Sequence, residues 1–276
     1  MIAFFTLTDR PETAKWLSPE EKQLCVDRIL SERAGTTELL DKLDGPKTFA
    51  GIFNPVVLST SMVLLLINIT VQGLAFFLPT IVRAIYPRET VVRQQLLTVP
   101  PYIFGSFIVL IICGLSWRFD RRNIFMTIGS GIVIPGYIIF LSTTNSSARY
   151  AATFLVAAGA FSFGALTQAQ SSANVVSDTA RSAAIGSTVM LGNVGGLIST
   201  WSFLPFDGPN YPIGNGLNIA ANLTIFFGTI ALGFWMRYDN KRRNSKAHDG
   251  RIALGQQDGK STQAIEWKRP DFRWRP

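Results

Sequence analysis

The sequence predicts an all-α membrane protein with six transmembrane helices. The stretch 55–78 carries no charge over about 24 residues, or ~36 Å of helix against a hydrocarbon core of ~30 Å. Of the 276 residues, 47% are apolar and only 16% charged, where an ordinary soluble domain carries roughly 25% charged residues. The placement of the charge completes the case. A net charge of +8 would in isolation suit a nucleic-acid binder. Lys and Arg, however, crowd into 1–54 and 237–276 and leave the apolar middle almost bare. The positive balance is therefore membrane topology, and no nucleic-acid partner is expected.

Each element follows from local pattern. Residues 1–8 read as the last turns of a preceding membrane helix, because the apolar run is too short for a signal peptide and lacks a basic flank. Residues 9–54 form a polar central loop containing a short helix within 16–43. Its start is marked by Ser18-Pro19-Glu20-Glu21, a capping box with Pro at the first helical position. Leu17, Leu24, Ile29 and Leu30 supply an apolar stripe, and Gly35 breaks it. The six-helix bundle occupies 55–236, with spans at about 55–82, 95–117, 124–142, 150–170, 183–204 and 216–236. Polar residues, Pro or Gly punctuate the breaks at 83–93, 118–123, 143–149, 171–181 and 205–215. Residues 237–276 form a basic tail.

Six crossings place both termini on one side. The other side then holds Arg83, Arg88, Arg93 and Arg149, four of the 26 basic residues, and the positive-inside rule makes both termini cytoplasmic.

No acidic or basic residue lies in the middle of a span, so this polypeptide offers no proton-relay carboxylate at mid-membrane. Amides are what remain. Asn68 and Gln72 lie one turn apart on the first span, with Ser61 on the same face. Asn193, Gly196 and Thr200 form a stripe on the fifth, and Asn215, Asn218 and Asn222 another on the sixth. Gln168 and Gln170 end the fourth span, with Asn174 beyond. Such groups either join helices, at about 0.6–2 kcal/mol each, or line a polar pathway. Gly192 and Gly196 make a GxxxG pair suited to close helix approach. Pro79, Pro100-Pro101 and Pro135-Gly136 interrupt backbone hydrogen bonding, as kinks or beside a cavity. Asn145-Ser146-Ser147 is a sequon in a short outer loop, while the sequons at Asn68 and Asn222 lie within the membrane.

The two cysteines, Cys25 and Cys113, are too far apart in kind and place to imply a disulfide framework, and the single histidine, His248, sits in the tail. No catalytic residue, cofactor or metal ligand is assigned, and a membrane enzyme is the least supported class.

The loop Gly114-Leu-Ser-Trp-Arg118-Phe-Asp-Arg121-Arg122 resembles the signature loop of the major facilitator superfamily, Gly-x-x-Asp-Arg-x-Gly-Arg-Arg, with Trp117 at the motif's Asp and Asp120 at its later Gly. Four longer stretches resemble one fungal branch of it, the anion:cation symporters related to allantoate permease and nicotinate transporters. These are Arg10-Pro-Glu-Thr-Ala-Lys-Trp-Leu-Ser-Pro-Glu-Glu, Gln94-Gln-Leu-Leu-Thr-Val-Pro-Pro-Tyr102, the pair Gly192-Asn193-Val-Gly-Gly and Asp207-Gly-Pro-Asn-Tyr211, and the tail Pro270-Asp-Phe-Arg-Trp274.

The resemblance implies that the spans are the seventh to twelfth helices of a twelve-helix fold, the C-terminal half of a major facilitator. It further implies transport of a small organic anion or vitamin-like carboxylate by alternating access at the plasma membrane. Asn68, Gln72, Tyr102 and Asn193 are then the substrate-pathway residues, and Arg118, Arg121 and Arg122 the conformational loop. The implied partners are the solute, the lipid bilayer and a missing N-terminal half or another transporter chain. Proton coupling and a counter-charge for the substrate would lie in that other half. Two alternatives stay open: a non-transporting half that assembles with or regulates another transporter, and a six-helix transporter formed by homodimerisation.

Overall fold

Asn54 shows how the sequence sets the bundle. Its side-chain oxygen accepts from the amides of Val56 and Val57, with Pro55 at the first helical position, so the longest apolar run begins with its orphan donors satisfied. The structure is a computed structural model and describes residue 14 and residues 16–32, 45–208, 210–248, 266–268 and 272–276. The expected membrane turns at 1–8 and the break at Gly35 lie outside these residues.

Among the described residues the regular structure is helix, without strands. In order it has α1 (Pro19–Glu32), α2 (Gly45–Ile52), α3 (Pro55–Ile85), α4 (Val91–Leu96), α5 (Val99–Phe119), α6 (Arg122–Ser142), α7 (Ser146–Ala160), α8 (Phe163–Ala173), α9 (Asp178–Thr200) and α10 (Pro212–His248). Single 3-10 turns occur at Pro205–Asp207 and Glu266–Lys268. Six helical spans among the described residues are long and apolar enough to cross a membrane, with α4–α5 and α7–α8 each forming one broken span. This is a multi-pass integral membrane protein, consistent with half of a major facilitator fold.

The capping box forms as its residue types dictate: Glu21 N donates to Ser18 Oγ at 3.3 Å and Ser18 N to Glu21 Oε2 at 2.9 Å. Several span limits shift. The pair Pro100-Pro101 does not interrupt a helix; it starts α5 after a turn at Leu97 and Thr98, where proline's missing N–H costs nothing. The fourth span breaks at Phe161 and Ser162, α9 begins at Asp178 because Ser177 caps it through Ala180 N, and α10 runs on to His248. Pro79 and Pro135 sit inside helices that continue past them. The short helix α2 was hidden within the polar segment, where periodicity over eight residues is too brief to read.

Helices α3, α6, α7 and α8 hold the core, built on Ile67, Leu74, Leu78, Met126, Val156 and Phe163. The strongest packing joins α3 to α9, α6 to α10 and α6 to α7, with α5 resting on α7. Small residues permit the close crossings. A Cβ at Gly129 would lie 2.8 Å from the Gly159 carbonyl oxygen, and one at Gly195 would fall on the carbonyl oxygen of Leu65. Burial is uneven: 61% of an 18-residue apolar stretch of the α7–α8 span is covered, against 22% for the corresponding stretch of the α4–α5 span and 28% for that of α9.

Candidate functional site

The α3–α9 seam gathers the polar residues of two membrane helices. Ser61 Oγ meets Thr188 Oγ1 at 2.9 Å, Thr188 meets Ser171 at 3.2 Å, and Ser171 meets Thr60 at 2.7 Å, a buried chain of four hydroxyls from α3, α8 and α9. Two turns along, Asn68 Nδ2 donates to the Gly192 carbonyl at 2.9 Å. Gln72 follows on the same face, half-buried, its Cγ in ordinary contact range of a Cβ at Gly196. The seam is therefore closed by Gly192 and Gly195; Gly196, named with Gly192 in the sequence pattern, stands at its margin.

Asn193 points the other way. It is exposed, on a face of α9 shared with Met190, Val194 and Leu197, which are also exposed. The structure thus brings Asn68 and Gln72 together and sets Asn193 beside them on the uncovered side of α9. Tyr102 belongs to a different layer. Its ring stacks on Phe161 at 5.7 Å and 2°, on a helix that packs chiefly against α7.

A second polar cluster lies between α3 and α10. Thr70 Oγ1 donates to Asn218 Oδ1 at 2.7 Å and accepts from Asn222 Nδ2 at 2.9 Å, all three fully buried. These amides join helices, because each also returns a bond to its own backbone: Asn218 to Gly214 and Asn222 to Asn218. Thr70 carried no signal in sequence, since it is a single hydroxyl on the face opposite Asn68.

At the end of the bundle shared by the chain's described tail, the loop residues behave separately. Arg122 pairs with Asp120 at 3.1 Å and is 18% exposed, whereas Arg118 and Arg121 are exposed. Asp120 occupies the left-handed region, φ 49° and ψ 40°. Asp is among the few types other than Gly that tolerate this region, and here it stands at the position where the signature loop has Gly.

The tail itself is the largest feature that sequence reasoning missed as structure. Asn240 reads the backbone of Trp274 from both sides, donating to its carbonyl at 2.9 Å and accepting from its amide at 2.9 Å. Asn174 does the same for Arg275, at 3.2 and 2.9 Å, and Gln170 adds a bond to the same carbonyl at 2.8 Å. Trp274 is 2% exposed against Val56, Leu232 and Met236, and its indole N–H donates to Asp239 at 2.7 Å. The buried Glu266 carboxylate accepts from Val176 N and Ser177 N ahead of α9. The signal was present in sequence: Gln170 and Asn174 at the end of the fourth span are the groups that hold the tail.

On the opposite end, Asn145 spends its side-chain oxygen on the amides of Ser147 and Ala148, as the cap of α7. Asp207 accepts from Ile213 N and Arg149 donates to Asn210 at 2.7 Å, so the loop before α10 is fixed by two of the residues that carried its resemblance, Asp207 and Asn210. Among the described residues no cluster of His, Cys, Asp and Glu has the makings of a metal site.

Comparison with known proteins agrees with this picture. The chain is 26% identical over 250 residues to an uncharacterized transporter of Schizosaccharomyces pombe, covering 90% of this chain and 49% of that protein. It is 26% identical over 277 residues to a major facilitator-type transporter of Emericella nidulans, covering 99% of this chain and 55% of the relative. It is 26% identical to the high-affinity nicotinic acid transporter of Saccharomyces cerevisiae over 87% of this chain and 44% of the relative. The chain thus spans about half the length of the curated relatives it matches. No family model and no solved structure matches it.

Proposed function

We propose that this chain forms the C-terminal half of a secondary transporter of the anion:cation symporter branch, moving a small organic anion or vitamin-like carboxylate by alternating access. The observation that carries the reading is the uncovered face of α9. Asn193 lies there beside apolar neighbours, and its amide costs free energy in lipid unless a second half or a water-filled pathway meets it. The similarity to transporters over half their length supports the same arrangement.

On this reading Gln72 and Asn193 line the margin of the central pathway, and Asn68 fixes the α3–α9 crossing behind them. Tyr102 contributes from α5 across the pathway. Arg118, Arg121 and Arg122 form the cytoplasmic loop that senses the inward- and outward-open states. Because mid-span positions here bear no acidic or basic residue, the charge that pairs with a carboxylate substrate and any proton coupling come from the other half. The protein resides in the plasma membrane with both described ends cytoplasmic.

The test is uptake of radiolabelled nicotinate and other small carboxylates into proteoliposomes. The chain is supplied alone and joined to the N-terminal half of the Emericella relative. Uptake by the joined protein, reduced at least tenfold by Asn193→Leu (a loss of about 1.4 kcal/mol by the usual conversion), supports the reading. Correct insertion of both forms without uptake of any tested carboxylate overturns it and leaves the regulatory half-chain.

A further inference from the structure

The start of α6 and the last apolar turns of α10 enclose a groove of about 260 Å³ that holds none of the substrate-pathway residues, Arg121 of the conformational loop alone reaching its rim. Its walls are apolar, with Ile124 and Ile128 from α6 and Phe234 from α10, all three exposed on the outside of the bundle. Its mouth carries Arg121 and Arg237. Arg122 and Arg243 have acidic partners, in Asp120 and Asp239; neither Arg121 nor Arg237 has one among the described residues. Asn123 lines the same groove at 4% exposure. Its Nδ2 donates to Met236 Sδ at 3.4 Å, while its carbonyl oxygen has no donor.

We propose that this groove binds one anionic phospholipid. The phosphate sits between the Arg121 and Arg237 guanidinium groups, and an acyl chain runs along Ile124, Ile128 and Phe234. Arg suits this role because its planar fork offers paired donors to phosphate oxygens at the headgroup level. The apolar wall selects a lipid over a free anion, since only a ligand with a hydrocarbon chain covers it. Pro276 also lines the rim, and Arg121 and Arg237 make the mouth positively charged. The inference requires only that these helices cross a bilayer and does not depend on transport.

Gly233 provides a way to separate the two ends of the site. A Cβ there would meet Asn123 Nδ2 no closer than 3.9 Å, so a side chain can start from this position, and Gly233→Leu is the substitution chosen to occupy the groove. The experiment is native mass spectrometry of the purified full chain titrated with phosphatidylinositol, phosphatidylcholine or inorganic phosphate. One phosphatidylinositol should be retained in preference to phosphatidylcholine. Arg121→Gln with Arg237→Gln should weaken it about thirtyfold, equivalent to about 2 kcal/mol for two interfacial cations. Arg121→Lys with Arg237→Lys should keep most of the binding, which separates loss of charge from loss of fold. Gly233→Leu should abolish lipid retention with both guanidinium groups intact, and Arg83→Gln with Arg88→Gln, at the opposite end of the bundle, should change nothing. Equal retention of phosphatidylcholine, or unchanged affinity in the Gln pair, would overturn the proposal. So would inorganic phosphate binding as tightly as the lipid.

Discussion

At the scale of single residues, the α3–α9 seam is governed by what fits beneath a backbone carbonyl. A methyl group at Gly195 would strike the Leu65 carbonyl, whereas a Cβ at Gly186 meets nothing within 4 Å. We expect Gly195→Ala to cost at least the ~1–3 kcal/mol of an overpacked core and to lower the unfolding temperature in detergent. Gly186→Ala should leave it unchanged or slightly raised, because only helix propensity changes. Equal behaviour of the two variants would show that the seam is looser than its geometry. Amides divide in the same way. Asn222→Leu should destabilise the protein by breaking the bond to Thr70, and Asn193→Leu should not, since Asn193 is exposed and has no such partner. Sequence made every one of these residues visible as polar or small. It could not tell Asn193 from Asn218 or Gly195 from Gly196, because a rotation of one position along a helix turns a side chain from seam to surface.

Elements were legible in proportion to their apolar length. The span 55–82 was found almost to its end because one uncharged run dictates it, while the fourth and fifth spans moved at Gln168–Ser177 positions where polar residues are buried by tertiary contacts. The tail was legible as a resemblance and as charge, never as packing, because an extended strap has no periodicity. Its energetics now make a strong expectation. Trp274→Ala removes a buried indole from Val56, Leu232 and Met236 and takes one of two donors from Asp239, which keeps Arg243, so a loss of roughly 3–5 kcal/mol is expected in thermal or denaturant unfolding. Asn240→Ala should weaken the same strap through two backbone bonds, by about 1–3 kcal/mol. Protease protection of the 272–276 segment, lost in both variants and retained in the parent, would tie the effect to docking. An unchanged unfolding temperature in Trp274→Ala would mean that the strap does not hold α8 and α10 together.

At the scale of the whole molecule, charge placement and helix count constrain each other. With six crossings the basic residues fall 22 to four across the membrane, the four being Arg83, Arg88, Arg93 and Arg149; losing one crossing would move 237–276 to the wrong side. The two native cysteines make this testable with little alteration. Cys25 lies on α1 outside the spans, and Cys113 lies within α5. We expect a membrane-impermeant maleimide to label Cys25 in inside-out vesicles and not in intact cells, with Cys113 unlabelled in both. Arg88→Cys, exposed in the loop after α3, should show the reverse pattern, because a single crossing separates it from Cys25. Ser245→Cys near the end of α10 should follow Cys25, because six crossings separate them. Labelling of Cys25 and Arg88→Cys from the same face would remove α3 as a span, and with it the seam on which the pathway is built. Opposite faces for Cys25 and Ser245→Cys would instead demand an odd number of crossings and break the correspondence with half of a twelve-helix transporter.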